Sequence, residues 1–388
     1  MYSPEASYDL VVVGASFAGL VAARTAAMRG LKVAVLDAKQ EAGHRVATTG
    51  ILVKEAVEEI DIPHALTRRI YGVRLYAPNL ERVDLFAPGY FFLTTDTADV
   101  LRWLAEEAQR AGVHFLWRTR FDGASRDGTL FRFANLDICA RYVLGADGAR
   151  SAVARHFGLG RNTRFLTGIE HEYDGLSDVD PRFLHCFLNS ELAPGYLAWA
   201  AAAPSVVQVG LAVGPGKRPD LRRFLSYANQ VFHFDEARLV GRRTGRIPCG
   251  GLVQPWATDG VMLIGDAAGM VSPATGGGIR LAFHFGRRAG QAIADYLLHM
   301  GPSPDSALAP ELPSFLIKRV MRFGLDQRVP NMLISAALGT STMRSLAQRV
   351  FFHRRGTKGV TFSEFEEKLT ALATSIAPEP DAVVTRRE

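Results

Sequence analysis

Cysteine is scarce in this sequence, and its few cysteines lie far apart. The chain has 388 residues and three cysteines, Cys139, Cys186 and Cys249. None belongs to a CxxC pair, so the spacing argues against a disulfide framework and against iron–sulfur or zinc motifs. No metal site is predicted. Isolated thiols of this kind are typical of a reducing compartment, and we expect a cytoplasmic protein.

The sequence also lacks an export signal and an unbroken apolar run. Its first residues contain neither the cationic nor the apolar segment of a secretory signal. Residues 192–216 are uncharged and long enough to consider as a membrane span, but Pro194, Gly195 and Pro204 interrupt them. We interpret this stretch as two strands.

The excess of positive charge is modest. The formal net charge is +6, and 48% of the residues are hydrophobic. A chain of this length and apolar content can bury cores for roughly two or three domains. No nucleic-acid-binding motif accompanies the charge, so nucleic acid is not expected as a partner.

A strand, a glycine turn and a helix are present close to the start of the chain. Residues 10–13 are apolar and β-branched, as in a buried parallel strand, and residues 14–19 (GASFAG) lead into an alanine-rich helix that ends at Gly30. Gly14 permits a tight turn, and Gly19 lets the helix pack closely on the strand. The free N–H groups at the helix start then face a phosphate.

The next strand supplies an acid in register with this turn. Residues 32–36 form the strand, and Asp37 follows about 20 residues after the glycines, where a carboxylate accepts hydrogen bonds from ribose hydroxyls. Turn and acid together predict a dinucleotide site. Ser16 stands at the middle glycine position, so its side chain must fit beside the phosphates. Arg45, in a loop at residues 43–60, is placed to reach the same phosphates.

A second glycine-rich region lies late in the chain. Residues 260–269 (GVMLIGDAAG) predict a buried strand that delivers Asp266 at its carboxyl end. Residues 273–279 (PATGGGI) precede a helix at residues 279–298, so a carboxylate and a helix start converge and can hold a polyol and a ring carbonyl. An earlier turn at residues 145–151 (GADGARS) accompanies them.

The intervening sequence predicts β-structure. Residues 71–76 and 82–86 read as a hairpin, and the strand-rich residues 165–213 as a second sheet inserted within the nucleotide domain. Tyr196 and Trp199 are three apart and would point to opposite faces of a regular strand, so we expect at most one of them in a given pocket. The alternative is that both belong to the core.

These motifs, in this order, resemble those of FAD-dependent oxidoreductases with the p-hydroxybenzoate-hydroxylase fold. Within that group the chain is most similar to the geranylgeranyl reductase family, because residues 195–200 (GYLAWA) resemble its substrate-domain motif and residues 273–279 its flavin loop. The resemblance implies an α/β fold. It consists of a doubly wound, Rossmann-like FAD-binding domain, an inserted β-rich substrate domain and a C-terminal helical segment.

The resemblance also implies the cofactor, FAD, and the residues that bind it. The pyrophosphate would lie on the first turn, supported by Asp147, with the adenosine ribose at Asp37, the ribityl chain at Asp266 and the ring edge on the glycine loop. The candidate cofactor-binding residues are Gly14, Ala15, Ser16, Phe17, Ala18, Gly19, Asp37, Arg45, Asp147, Asp266, Gly276, Gly277, Gly278 and Ile279. The candidate substrate pocket contains Ala47, Thr48, Tyr196 and Trp199.

The implied reaction is hydride transfer from reduced flavin to carbon–carbon double bonds of an apolar, isoprenoid-like substrate. The electron donor would be NAD(P)H or a reduced ferredoxin-like protein. One departure from the family pattern, a missing cysteine, keeps alternatives open. The family usually has a cysteine where Ala47 or Thr48 stands here, and four alanines, residues 200–203, follow Trp199 where the family has Trp-x-Phe. We expect these alanines to widen the pocket.

The first alternative is a flavin monooxygenase of the same fold that acts on an apolar or aromatic substrate. The second is a catalytically idle flavin-binding scaffold. The sequence assigns no proton donor and no other catalytic residue, and it does not predict the oligomeric state.

The predicted organisation divides the chain into six segments. The FAD-binding domain comprises residues 1–66, 99–158 and 246–300, the substrate domain comprises residues 67–98 and 159–245, and residues 301–388 form the C-terminal helical segment, which begins with a linker. Between residues 318 and 358, nine basic residues are opposed by Asp326 alone. Such a segment either docks on anionic lipid at the inner face of the membrane or forms a solvated helix face.

Overall fold

The computed structural model describes residues 6–352 and shows a mixed α/β architecture in which the strands form three sheets. The strands are β1 (Ala6–Val13), β2 (Val33–Asp37), β3 (Leu52–Val53), β4 (Thr67–Ile70), β5 (Gly72–Tyr76), β6 (Arg82–Phe86), β7 (Phe92–Thr95), β8 (His114–Trp117), β9 (Ala124–Asp127), β10 (Leu130–Phe133), β11 (Ile138–Gly145), β12 (Phe165–Asp174), β13 (Phe183–Phe187), β14 (Ala198–Ala202), β15 (Val207–Val213), β16 (Arg238–Pro248), β17 (Ala257–Thr258) and β18 (Val261–Leu263).

Helices pack on the first and second sheets, and several of them follow the last strand in sequence. They are α1 (Phe17–Met28), α2 (Lys54–Val57), α3 (Thr97–Arg110), α4 (Ala152–His156), α5 (Leu221–Ala228), α6 (Ile279–Leu297), α7 (Pro304–Leu308), α8 (Leu316–Asp326), α9 (Asn331–Leu338) and α10 (Ser341–Phe351). Short 3₁₀ turns occur at His64–Leu66, Gly265–Ala268 and Ala309–Glu311.

The first sheet has the strand order β17-β18-β11-β1-β2-β8, and β10 and β9 extend it from β11. Its centre is parallel, because β1 pairs in parallel with both β2 and β11, and β11 with β18. The central strands are apolar along most of their length, as expected for a sheet that is covered on both faces. The register places Val13 beside Gly145, and Gly145 beside Leu263. The three glycine segments therefore begin at one edge of the sheet.

Helices α1 and α6 pack closely because α6 carries glycines at the contact. A Cβ added to Gly286 would lie 2.7 Å from the carbonyl oxygen of Ala18, and one added to Gly290 would lie 2.5 Å from that of Ala22. The contacts advance in the same direction along both helices, so the helices run parallel. Their N-termini consequently lie at the same end, beside the edge where the glycine segments begin.

The second sheet has the strand order β16-β12-β15-β14-β13-β5-β6. Alternate residues separate its two faces, as strand geometry requires. One face, with Phe187 and Leu211, packs on Phe224 of α5. The other face, with Cys186 and Trp199, packs on C-terminal residues including Leu338 and Phe352. The C-terminal helices thus lie on the face opposite α5.

The fold class and the hairpin of β5 and β6 are confirmed. The linker predicted at the start of the C-terminal segment is wrong in part, because residues after Gly301 form α7, and Leu308 is fully buried on the core. The six-segment division stays a prediction. β5 and β6 join the second sheet, whereas β4 and β7 pair with β3 in a separate three-stranded sheet.

Candidate active site

A cavity with a volume of about 1530 Å³ extends from the turn between β1 and α1 to the C-terminal helices. Pockets for single small ligands usually measure roughly 300–1,000 Å³. The cavity therefore has room for a dinucleotide together with a second molecule. Its lining changes along its length, from backbone and carboxylate groups at the first sheet to a mixture at the second sheet, where apolar side chains join a few charged ones.

The turn between β1 and α1 forms one end of the cavity. Gly14 has a positive φ of 109°, and a Cβ there would overlap the carbonyl oxygen of Ala146. A Cβ on Gly19 would overlap the carbonyl oxygen of Gly14, so only glycine permits this close contact between helix and strand. Ser16 makes no capping hydrogen bond, and the first turn of α1 carries no acid. The N–H groups at this helix start are thus available to an anion.

Asp37 stabilises the turn between β1 and α1. The Ala15 N–H donates to its Oδ2 at 2.7 Å, and the Lys39 N–H donates to its Oδ1 at 2.8 Å. A carboxylate has about four acceptor positions, so both oxygens can still accept from hydroxyls in the cavity. Asp37 therefore fixes the glycine turn in addition to facing the cavity.

Asp147 lines the cavity where β11 ends. Its Oδ2 accepts hydrogen bonds from the Ala152 N–H at 2.6 Å and the Val153 N–H at 3.1 Å, so it caps α4. Its Oδ1 is buried and has no hydrogen-bond partner among the residues that the structure describes. Burial raises the pKa of this carboxyl group.

Asp266 lies in the 3₁₀ turn after β18, next to the start of α6. Its Oδ1 lies 3.5 Å from the position that a Cβ on Gly278, the N-cap residue of α6, would take. Asn162 donates to the Asp266 carbonyl oxygen at 2.8 Å and holds the turn. Within residues 6–352, nothing hydrogen-bonds to the carboxylate itself, and burial raises its pKa to about 6. The carboxylate is free to accept hydrogen bonds from a bound polyol.

These features fit FAD. Two helix N-termini without capping side chains point to one edge, and the carboxyl groups of Asp147 and Asp266 each retain acceptor positions beside them. Because an unpartnered buried polar atom is costly, such groups are expected to meet a ligand. The glycine loop, with Gly276, Gly277, Gly278 and Ile279, also lines the cavity.

Arg45 is not brought into the cavity. It is exposed, has a positive φ of 48°, and does not line the cavity wall. The arginines that do line the cavity are Arg120, Arg150 and Arg155 at its nucleotide end and Arg243 and Arg246 on the second sheet. The first three are better placed than Arg45 to neutralise phosphate charge, and their positions in loops and in the short α4 gave no sequence signal.

Tyr196 and Trp199 both line the cavity, so the expectation of at most one is wrong. The reason is that β14 begins at Ala198, which leaves Tyr196 in the preceding loop, where strand alternation does not apply. The Tyr196 hydroxyl donates to the carbonyl oxygen of Thr275 in the glycine loop, and burial raises its pKa.

Ala47 and Thr48 form part of the cavity wall, as the resemblance implied. The four alanines after Trp199 do not widen the cavity, because none of residues 200–203 lines it. Ala200 and Ala202 instead belong to the core around α5. The wall is completed by C-terminal side chains that sequence reasoning missed, namely Leu325, Val350 and Phe351.

A buried acid on β12 was also missed. Glu170 lines the cavity, and its Oε2 accepts a hydrogen bond from the Trp199 indole N–H at 2.9 Å. Arg243 lies 3.7 Å from the other oxygen, Oε1, forms an ion pair with Glu172, and donates to the carbonyl oxygen of Thr48 at 2.8 Å. Burial raises the pKa of Glu170 to about 7.

Residues 7–298 match the family model of the FAD binding domain. A digeranylgeranylglycerophospholipid reductase of Methanothrix thermoacetophila is 34% identical over 315 residues, which covers 74% of this chain and 78% of the relative. The chain belongs to the geranylgeranyl reductase family of FAD-binding oxidoreductases. It is therefore an FAD-dependent enzyme.

Solved structures agree on the fold. A geranylgeranyl bacteriochlorophyll reductase-like protein of Thermoplasma acidophilum superposes with a TM-score of 0.77 at 21% identity, covering 93% of this chain and 99% of that protein. p-Nitrophenol 4-monooxygenase of Pseudomonas putida gives 0.69 at 16% identity, covering 91% and 100%. The same fold thus occurs in proteins named for different reactions. Among the helices of residues 6–352, none has the length and apolarity to cross a membrane.

Proposed function

We propose that this enzyme saturates carbon–carbon double bonds in an isoprenoid chain of a lipid. The observation that carries the proposal is the change of lining along the cavity. Beyond the glycine loop, the wall gains apolar side chains from the second sheet region and the C-terminal helices, including Leu184, Leu197 and Phe351, beside the charged groups of Glu170 and Arg243. Such a wall suits a long hydrocarbon better than a phenol held by hydrogen bonds. The name of the Methanothrix relative supports the same substrate class.

The chain's own residues would bind the cofactor and keep water out. The helix starts at Ser16 and Gly278 would hold its phosphates and its ring edge, and Asp37 and Asp266 would accept from its ribose and ribityl hydroxyls. Bound reduced FAD supplies the two electrons and one of the two hydrogens that saturate a double bond. The apolar wall around Tyr196 and Trp199 would orient the substrate and exclude water.

The reducing equivalents would come from NAD(P)H or a reduced ferredoxin-like protein. One experiment distinguishes these electron donors. In the absence of oxygen, the oxidised holoenzyme is mixed with NADH, NADPH or a reduced ferredoxin. Bleaching of the flavin absorbance identifies the donor.

Product mass separates a reductase from a monooxygenase. We expect the reduced enzyme, supplied with a prenylated lipid in the absence of oxygen, to yield a product two mass units heavier for each saturated bond. The physical reason is the number of apolar side chains in the cavity wall, which suit a long hydrocarbon chain. Turnover that requires oxygen and adds sixteen mass units would favour the monooxygenase alternative. Flavin binding without any turnover would favour the idle scaffold.

We further infer that the enzyme is cytoplasmic and docks on the inner face of the membrane through α8. This helix exposes apolar side chains at the spacing of one helix face, with Leu316 exposed to 70%, Val320 to 67% and Phe323 to 67%, and Ile317 beside them to 77%. Lys318 and Arg319 flank them in sequence and are exposed as well. An exposed apolar face with adjacent cations is suited to an anionic lipid surface. Leu325 of the same helix lines the cavity, so a lipid chain could pass from the bilayer to the site.

Not every basic residue between residues 318 and 358 lies on the surface. Arg322 is only 1% exposed, donates to the carbonyl oxygen of Gly195 and pairs with Asp326 at 3.0 Å. It therefore anchors α8 to the substrate-domain sheet rather than contributing to docking. Three further basic residues of the segment, Arg354, Arg355 and Lys358, lie outside the described residues.

Cosedimentation with vesicles tests the docking surface. We expect the protein to sediment with anionic vesicles and to be released as salt rises, since each cation near such a surface contributes about 1 kcal/mol. Replacing Ile317 and Phe323 together with serine should weaken binding by at least tenfold, because each apolar side chain loses roughly 1.5–3 kcal/mol of burial. Leu346→Ser, at a position 51% exposed on α10, is the matched control and should bind normally. Equal sedimentation with neutral and anionic vesicles would leave α8 as a solvated face.

A further inference from the structure

Four neighbouring strands of the second sheet place a row of residues on the face towards the cavity. The register pairs Arg243 on β16 with Glu170 on β12, Glu170 with Gly210 on β15, and Gly210 with Trp199 on β14. Directly paired residues point to the same face of a sheet. Arg243, Glu170 and Trp199 all line the cavity, so this row forms part of its wall.

Gly210 allows Trp199 to reach Glu170. Neighbouring strands lie about 4.8 Å apart, so the backbones of Trp199 and Glu170, which are two strands apart, lie roughly 10 Å from each other. A Cβ on Gly210 would lie 2.8 Å from the Trp199 ring and 2.7 Å from the Ile169 carbonyl oxygen. Since no side chain intervenes, the indole crosses β15 and donates to Glu170 Oε2 at 2.9 Å. The hydrogen bond fixes the position of the carboxyl group.

The second oxygen of Glu170, Oε1, lies 3.7 Å from the guanidinium group of Arg243. Oε1 is buried, and no group among residues 6–352 forms a hydrogen bond with it under ordinary geometric limits. The charged and polar groups around the carboxyl group are Arg243 from β16, Glu172 from its own strand, Trp199 from β14 and Thr49 from the loop before β3. Burial outweighs the positive charge of Arg243 and raises the pKa of Glu170 to about 7. The carboxyl group is therefore substantially protonated near neutral pH.

The other titratable groups in this part of the cavity are poor proton donors. Burial raises the pKa of the Tyr196 hydroxyl and of the Cys186 thiol far above neutrality. The Tyr196 hydroxyl is moreover engaged with the Thr275 carbonyl oxygen. Glu170 is the group whose protonation state is matched to proton transfer near pH 7.

We propose that the carboxyl group of Glu170 donates the proton that completes saturation of the substrate double bond. The inference rests on the proposed function. The electron pair and one hydrogen pass from reduced flavin to one carbon of the double bond. At the other carbon a C–H bond forms as the O–H bond of the Glu170 carboxyl group breaks, and the bonding electrons stay on the carboxylate. Glu170 then takes a proton from solvent, so each turnover consumes one reduced flavin and one proton.

Glu170→Gln tests this role in the holoenzyme. We expect kcat for the saturated product to fall by about 100-fold or more, the usual contribution of a positioned general acid. The affinity for FAD and the rate of flavin reduction by dithionite should stay within twofold of the wild type. In the wild type, kcat should fall tenfold per pH unit above about pH 7, because the acid form is required. The residual activity of the variant should lack this dependence.

Trp199 provides a readout that does not depend on turnover. Its fluorescence in the FAD-free protein should change with a midpoint near pH 7, since its N–H bonds to Glu170. The change should disappear in Glu170→Gln and in Trp199→Phe. Asp174→Asn is the matched control on the same strand. Asp174 is exposed, pairs with Arg238 and lies outside the cavity lining, so this variant should keep both the fluorescence midpoint and the shape of the pH profile.

The outcomes separate this inference from the proposed function. A wild type that turns over and a Glu170→Gln variant with the same kcat and pH profile would overturn the role of Glu170 alone. A wild type that saturates no prenylated lipid would overturn the proposed function, and the fluorescence titration would still decide the state of Glu170. Absence of a step near neutral pH in that titration would also overturn the inference.

Discussion

Gly19→Ala is expected to abolish FAD binding and to destabilise the protein by about 3 kcal/mol or more, at the upper end of overpacking effects. The added Cβ would overlap the carbonyl oxygen of Gly14, which is backbone and cannot rotate away. Helix α1 would have to move off β1, and its N-terminus would leave the position that faces the phosphates. Flavin fluorescence titration and thermal unfolding measure the two effects.

Gly324→Ala is the matched control for this substitution. Gly324 also lies in a helix, α8, but no atom lies within 4 Å of the position that a Cβ would take. We expect unchanged FAD affinity and a stability that is unchanged or up to about 1 kcal/mol higher, from the better helix propensity of alanine. Normal FAD binding by Gly19→Ala would contradict the assignment of the first turn as the phosphate site.

Asp266→Ala should weaken FAD binding by about 1.5–3 kcal/mol, the range for hydrogen bonds to a charged group. The reason is that the carboxylate has no partner among the described residues and faces the cavity beside the start of α6. Asp266→Asn should retain part of the affinity, because the amide oxygen still accepts hydrogen bonds. Equilibrium titration of the apoprotein with FAD gives both values. An unchanged affinity in Asp266→Ala would contradict a ribityl contact.

The same carboxyl group should lower the stability of the apoprotein above neutral pH. Its pKa of about 6 is raised above the value near 3.8 of an unperturbed aspartate, so the folded protein binds the proton more tightly than the unfolded chain. Stability is therefore lost as pH rises through about 6. Without FAD, Asp266→Asn should be more stable than the wild type at pH 8, by at most about 3 kcal/mol at 1.36 kcal/mol per pKa unit. The difference should vanish near pH 4.

The elements that we propose to hold FAD were predictable because their signals are local. Gly14 and Gly19 stand at fixed positions between a β-branched strand and a helix, and Asp266 ends an apolar strand before a glycine run. Parallel strands end at one edge, so local motifs of this kind meet without further information. The position of Arg45 was not predictable in this way, because an exposed loop residue has no such constraint.

The substrate end was predictable only in outline. That Tyr196 and Trp199 share the cavity depends on where β14 begins, which a uniform apolar stretch does not mark. Glu170 meets Trp199 through two antiparallel pairings and a glycine on the strand between them. The residues next to Glu170 in sequence do not indicate this contact, because the row of Arg243, Glu170 and Trp199 depends on pairing between strands that are distant in sequence. The C-terminal wall was missed for the same reason.

The central claim is that electrons held by FAD in this cavity pass to a lipid double bond. The most direct measurement is a single turnover, in which stoichiometrically reduced holoenzyme is mixed without oxygen with a digeranylgeranyl lipid. The account predicts that the oxidised-flavin absorbance returns and that one double bond is saturated per flavin. Flavin that stays reduced until oxygen is admitted, with no saturated lipid formed, would contradict it.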